Sequence, residues 1–187
     1  MGIDSYKVNL KNQLIDAHGR IEYTYTQHHI IANRLLKKHR LLKITEIVLT
    51  AISTVGFLAT VIQEQVTLAW IGGLGSALTL GITLYTKDFN LDSEAKKHKD
   101  AADALWRVRE CYKSLIADFV ALSDEEICSK RDALIEMVTD INEKYPGTDD
   151  KSFKKARKNL KKEERQTFHP GEAEKFLPPA NNKIGQG

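Results

Sequence analysis

The sequence predicts an all-α membrane protein: a two-span transmembrane helical hairpin whose helices extend into a cytoplasmic helical bundle. Three observations carry this expectation. Residues 44–62 (ITEIVLTAISTVGFLATVI) and 66–85 (VTLAWIGGLGSALTLGITLY) are each long and apolar enough to cross a hydrocarbon core about 30 Å thick. Only Gln63, Glu64 and Gln65 separate them, too few for a domain on the far side. The four prolines are Pro146, Pro170, Pro178 and Pro179, so the first 145 residues lack the strongest helix breaker. The mean hydropathy of −0.37 and net charge of +3 average this apolar hairpin with very polar flanks.

Basic residues orient the hairpin. No acidic residue lies between Glu22 and Glu46, whereas Arg34, Lys37, Lys38, Arg40 and Lys43 crowd the entry to the first span. Lys87, Lys96, Lys97 and Lys99 follow the second, and the turn has no Lys or Arg. Positive residues are retained in the cytoplasm, which places both termini there. Trp70 and Tyr85 sit toward opposite ends of the second span, where amphipathic rings favour the interface. The competing reading, a buried hairpin in a soluble bundle, fits two adjacent spans with basic flanks poorly. The position of the first apolar run argues against a signal peptide. Cys111 and Cys128 are the only cysteines, and a cytoplasmic setting disfavours a disulfide framework.

Four segments follow: a cytoplasmic helical lead-in over 1–43, the hairpin over 44–85, cytoplasmic amphipathic helices over 86–179 and a loose tail over 180–187. In the lead-in, Ile21, Ile31, Leu35 and Leu42 share a face with His28, and Gly19 is a candidate break. Ser93 is a candidate cap for the helix after the second span. Ala101, Leu105, Val108, Tyr112, Leu115, Phe119 and Leu122 then alternate in steps of four and three, a heptad seam of coiled-coil type. Ala102, Trp106, Ile116 and Val120 widen it, which suits a bundle better than a strict two-stranded coil. Ser123 and Glu126 have capping-box spacing. The helix they open turns Ile127, Leu134, Val138, Ile141 and Tyr145 inward, and Pro146-Gly147 ends it. Residues 151–162 carry seven Lys or Arg and no acid, with Phe153, Ala156 and Leu160 on one side. Phe176 and Leu177 are candidate anchors further on.

Four sets of residues are candidates for function. Ala69, Gly73, Ala77 and Gly81 recur every four residues, and small residues so spaced let helix backbones approach closely in lipid. Their partner is either a neighbouring subunit or the first span of the same chain. On the first span Glu46, Thr50, Ser53 and Thr60 cluster on one side, with Phe57 among them as an apolar constriction. They either line an aqueous path or bond back to their own helix carbonyls, with Glu46 at headgroup depth beside Lys43. Leu105, Val108, Tyr112, Leu115 and Phe119 form a candidate seam between chains. Lys154, Lys155, Lys158 and Lys161 are a solvated face, an anionic-lipid surface or a nucleic-acid contact. No aromatic residues interleave them as on a single-strand binding platform, so nucleic acid is not the expected partner.

Enzyme chemistry is not visible. There is no phosphate-binding glycine loop outside the spans, and the Gly-Gly-x-Gly at 72–75 reads as helix packing. His28-His29, His98 and His169 lack acidic or cysteine partners at metal spacing. No cofactor is expected.

The order of elements is a basic helical lead-in, a tight two-span hairpin, and a helix reading AKKHKDAADALWRVRECYKSL. It resembles the SLATT family, the SMODS- and SLOG-associating two-transmembrane effector domains of bacteria, over roughly residues 5–165. The resemblance rests on architecture, and it carries no catalytic residue. It implies a membrane effector of an anti-phage or conflict system, acting in abortive infection by oligomerising and permeabilising the inner membrane. The implied partners are the lipid bilayer, further copies of the chain, and a separately encoded sensor, nucleotide-second-messenger synthase or reverse transcriptase. A non-conducting membrane anchor or scaffold, whose cytoplasmic helices bind a partner protein, is the alternative.

Overall fold

The computed structural model describes residues 2–63, 66–163 and 169–176. Helix α1 runs from Gly2 to Gln63, a single rod of 62 residues and about 93 Å at 1.5 Å per residue. Helix α2 spans Val66–Phe89 and α3 spans Leu91–Ala117, with Asn90 alone between them. Helices α4 (Asp124–Lys144) and α5 (Asp150–Lys161) flank the end remote from the hairpin turn, and a short 3-10 turn covers Ala173–Phe176. No strand occurs among the described residues.

Gly19 does not break α1. A glycine in a helix costs about 1 kcal/mol relative to alanine, and packing along the rod offsets it: Leu14 and Ile21 on either side are buried against α3 and α4. The expected face of the lead-in is present, with Ile21, His28 and Ile31 buried and Leu35 and Leu42 half-buried. Ser93 is not the cap of α3. Asn90 occupies that position with φ 30°, and its side chain accepts from the Ser93 backbone N–H at 3.2 Å. Asparagine tolerates the left-handed region because its short polar side chain bonds locally. The Asn90 N–H also still reaches the Thr86 carbonyl at 3.2 Å, so α2 and α3 form one nearly unbroken arm.

That arm runs antiparallel to α1 along its length. Lys11 lies over the Phe119 ring, Glu22 pairs with Arg109, His28 meets His98, Lys38 bonds Tyr85, and Glu46 bonds Thr83. Helix α4 folds back onto α3 from a capping box in which Ser123 and Glu126 satisfy each other's backbone N–H groups, as their spacing predicts. Its Ile127 and Leu134 are buried, with Val138, Ile141 and Tyr145 half-buried. Helix α5 has its own capping box, Asp149 with Ser152, which also ties it to α1 because Asp149 accepts from Arg34. Its buried face is Ser152, Ala156 and Asn159 rather than the expected Phe153, Ala156 and Leu160. Phe153 is rotated outward, where its ring meets Tyr23 at 5.9 Å.

The core joins Leu10, Leu14 and Ile21 of α1 to Leu105, Val108, Tyr112 and Leu115 of α3, with Phe119, Ile127 and Leu134. The heptad seam proposed between chains is therefore spent inside the monomer, because α1 covers it. Ala102 and Ile116 widen that face as expected, but Trp106 and Val120 point out.

Candidate functional site: the groove of the membrane hairpin

The spans meet where neither has a side chain in the way. A Cβ built on Gly56 would lie 3.1 Å from the Leu68 carbonyl oxygen and 3.3 Å from the Gly72 Cα. One on Gly72 would lie 3.3 Å from the Ser53 carbonyl oxygen. These two glycines bring the backbones together, as small residues do between helices in lipid. Gly75 makes the same approach one turn on, facing Ser53. The sequence-predicted stripe lies off this contact, and its Ala69 and Gly73 line the groove beside it. Ala69, Gly73, Ala77 and Gly81 are exposed in the monomer, and a Cβ on Gly73 or Gly81 would meet nothing within 4 Å. The hairpin closes through glycines adjacent to that stripe and leaves most of it open.

Beside the closed seam runs a groove of about 750 Å³. Thr50, Ser53 and Phe57, three of the first-span candidates, line it together with Thr54. Helix α2 adds Ser76, Thr79 and Thr83, which reading the spans one at a time did not single out. The side chain of Thr60 lies outside the described residues. The hydroxyls of Thr50, Ser53, Thr54, Ser76 and Thr79 each donate to the carbonyl four residues earlier, at 2.8–3.0 Å. Back-bonding of this kind lowers the cost of a hydroxyl in lipid. It also sets the chemistry of the groove: the hydroxyl protons are used within the helices and oxygen lone pairs remain, so the wall presents hydrogen-bond acceptors.

Glu46 stands at the mouth. The Thr83 hydroxyl is within bonding distance of both the Glu46 carboxylate and the Thr79 carbonyl, and its one proton serves one of them. Lys43 lies 3.7 Å from the second carboxylate oxygen. Nearby, Lys38 Nζ donates to the Tyr85 hydroxyl at 2.6 Å. The mouth thus combines the acidic Glu46 with lysines that belong to the basic entry.

Further from the hairpin, the two α1–α3 contacts of highest polarity are buried or half-buried. His28 and His98 face each other through their Nδ1 atoms at 2.9 Å. One ring must donate and the other accept, which requires a neutral acceptor. Burial, and then the neighbouring His98 and His29, push His28 down to about 4. Burial also lowers His98. Arg109 pairs with Glu22 and stacks over Tyr25.

Helix α5 presents Lys154, Lys155, Lys158 and Lys161 to solvent. It starts beside Arg34 and Leu35 and passes Tyr23, so it climbs α1 away from the spans. Tyr23 is about 30 Å along the helix from Ile44 at 1.5 Å per residue. The start of α5 beside Arg34 lies at about half that distance from Ile44. No group of three or more metal-ligating side chains occurs among the described residues.

The architecture defines a class: a two-span membrane protein whose spans continue into a cytoplasmic-type helical bundle. A family model matches residues 10–172, described as SMODS and SLOG-associating 2TM effector domain family 4, and the chain belongs to that SLATT family. The two apolar helix stretches are its two transmembrane segments. No curated protein and no solved structure matches the chain.

Proposed function

We propose that this chain is a bacterial membrane effector of an anti-phage or conflict system, held in the inner membrane with both termini cytoplasmic. On this reading it oligomerises and permeabilises that membrane when a separately encoded SMODS- or SLOG-type partner signals. The observation that carries it is the pairing of an acceptor-lined groove with an open small-residue face on the same hairpin. Two spans cannot enclose water alone, so a conducting path needs several copies. Ala77 and Gly81, the part of the small-residue stripe outside the groove lining, supply a place for the next hairpin to pack, while the groove, with Ala69 and Gly73 at its edge, faces an enclosed axis. The basic entry supports the orientation.

A second reading has its own support. Because the hydroxyl protons are spent within their own helices, the same hairpin also serves as a non-conducting anchor whose cytoplasmic helices bind a partner. Ion flux from liposomes separates the two. Thr50 is exposed on the groove and off the glycine contact, so Thr50→Leu should lower flux at least several-fold without opening the hairpin. Ser53 is less suitable because it faces Gly75 directly. Absence of flux with wild-type protein in the presence of its activating partner leaves only the anchor. Undiminished flux in Thr50→Leu moves the path away from this groove.

A further inference from the structure

Helix α4 packs mainly on α3. It touches α1 near one end through Tyr6 with Cys128, Lys7 with Asp124 and Gln13 with Arg131. Beyond those contacts the two helices diverge, and a cleft of about 420 Å³ opens between α1, α3 and α4. That size lies within the ~300–1,000 Å³ usual for small-molecule sites. The floor is apolar: Ile21, Leu105 and Tyr112 are buried there. The rim is basic and amide-bearing, with Arg20 on α1 and Arg131 and Asn142 on α4, and no acidic residue lines the cleft.

The two guanidiniums are not equivalent. Arg131 is held in place by Asp132 and by the Gln13 side-chain oxygen, at 2.9 and 3.2 Å. Its charge is thereby part-neutralised. Arg20 forms no ion pair among the described residues, and it lies across the cleft on the other wall. Both charges reach the floor: burial pushes the Tyr112 phenol up, while Arg20 and then Arg131 oppose that rise. An uncompensated guanidinium beside a pre-positioned one is a fork suited to an oxyanion. The apolar floor beneath them is suited to a flat body.

The geometry points to this cleft as a binding site for a small organic anion, its phosphate-like group between Arg20 and Arg131 and its planar apolar body on Tyr112, Leu105 and Ile21. Such a ligand bridges α4 to α1, the same uninterrupted helix that becomes the first span. The inference goes beyond the reading of the hairpin, and its test reads binding rather than flux.

The probe is 1-naphthyl phosphate, titrated calorimetrically into the full chain in nanodiscs with empty discs subtracted; inorganic phosphate and 1-naphthol are the comparators. The expected result is saturable binding with a Kd below about 1 mM, at least about tenfold weaker for each comparator. Arg20→Ala should weaken the naphthyl phosphate by about tenfold or more, the worth of a charge-assisted hydrogen bond. Arg20→Lys should recover part of that. Thr139→Trp, an exposed cleft-wall position, should fill the space and abolish binding. Circular dichroism and unchanged melting establish that each variant is folded. Absence of saturable binding overturns the proposal. So does equal affinity in Arg20→Ala and Thr139→Trp, or inorganic phosphate binding as tightly as the aromatic ester.

Discussion

The glycines that close the hairpin and those of the open stripe can be separated by adding bulk to each in turn. At Gly56 a new Cβ would sit 3.1 Å from a carbonyl oxygen and 3.3 Å from a backbone carbon of the other helix. Ordinary contact between such atoms lies near 3.5–4.0 Å, so alanine forces a retreat of a few tenths of an ångström. Neither opposing atom belongs to a side chain that could swing away. Leucine adds three further carbons, so Gly56→Leu should open the hairpin by about 2 Å and cost about 1–3 kcal/mol, the range for overpacking. At Gly73 there is nothing within 4 Å to meet. Gly73→Ala should leave the monomer unchanged or stabilise it by up to ~1 kcal/mol through helix propensity. Gly73→Leu should leave the hairpin closed while weakening assembly between copies. Pulsed electron spin resonance reads the opening from labels at the exposed Leu58 and Leu74, with Cys111 and Cys128 replaced by serine. Native mass measurement reads the assembly. A Gly73→Leu hairpin as wide as that of Gly56→Leu would refute the reasoning, as would an unchanged distance in Gly56→Leu.

Two further outcomes concern the helical bundle outside the spans. The His28–His98 pair needs neutral rings, and a histidine held near 4 when folded but near 6.5 when unfolded binds more protons in the unfolded chain between those values. Stability contributed by His28 is therefore present above about pH 6.5 and lost as the pH falls toward 4. The full shift is worth about 2 kcal/mol between pH 7 and 5, and partial hydration reduces it to about 1 kcal/mol. His29 faces His28, and Glu94, Asp149 and Arg34 face His98; burial lowers His29 as it lowers His98. Melting followed by circular dichroism at pH 7 and 5 should show the loss, and His28→Leu/His98→Leu should flatten it; an equally steep double variant assigns the effect elsewhere. The core makes a simpler contrast. Leu14 is fully buried and its neighbour Ile15 is 47% exposed, so Leu14→Ala should cost about 2–5 kcal/mol and Ile15→Ala under about 0.5 kcal/mol. Denaturant midpoints in one detergent check this, and similar values for the pair would displace α1 from the core.

What could be read ahead of the structure was whatever repeats within one helix. The spans, the Ser123–Glu126 box and the apolar faces of α3 and α4 follow from period and caps, which are local. The misread faces concern which neighbour covers them, whereas Gly19 and Ser93 depart locally: the helix runs through Gly19, and Asn90 caps α3 three residues before Ser93. The α3 seam has a heptad period because one helix lies along it, and period does not say whether that helix belongs to the same chain. Its partner residues Leu10 and Leu14 sit in a segment of α1 whose apolar patterning is diluted by Asn9, Asn12 and Gln13. Likewise Ser76, Thr79 and Thr83 become part of the groove only once α2 is rotated so that Gly72 faces Gly56. That rotation is a property of the pair. His28 and His98 lie 70 residues apart, and no spacing rule connects them.

The close contacts also constrain how a signal could travel. Helix α1 and the α2–α3 arm form one antiparallel ribbon, pinned near the turn by Gly56 against Gly72 and near the base of the bundle by His28 against His98. A slide of one helical turn moves α1 by 5.4 Å, which would bring Leu68 or Ser76 to the place of Gly72 and drive a side chain into the Gly56 backbone. It would also part the imidazoles and leave two buried nitrogens without partners, a penalty of about 1–3 kcal/mol each. Sliding within the monomer is therefore disfavoured at both ends at once. Rotation of α4 and α5 about α1, or packing of one closed hairpin on the open stripe of the next, disturbs neither pin. A trigger acting on the bundle is thus expected to change how copies associate while each hairpin stays closed.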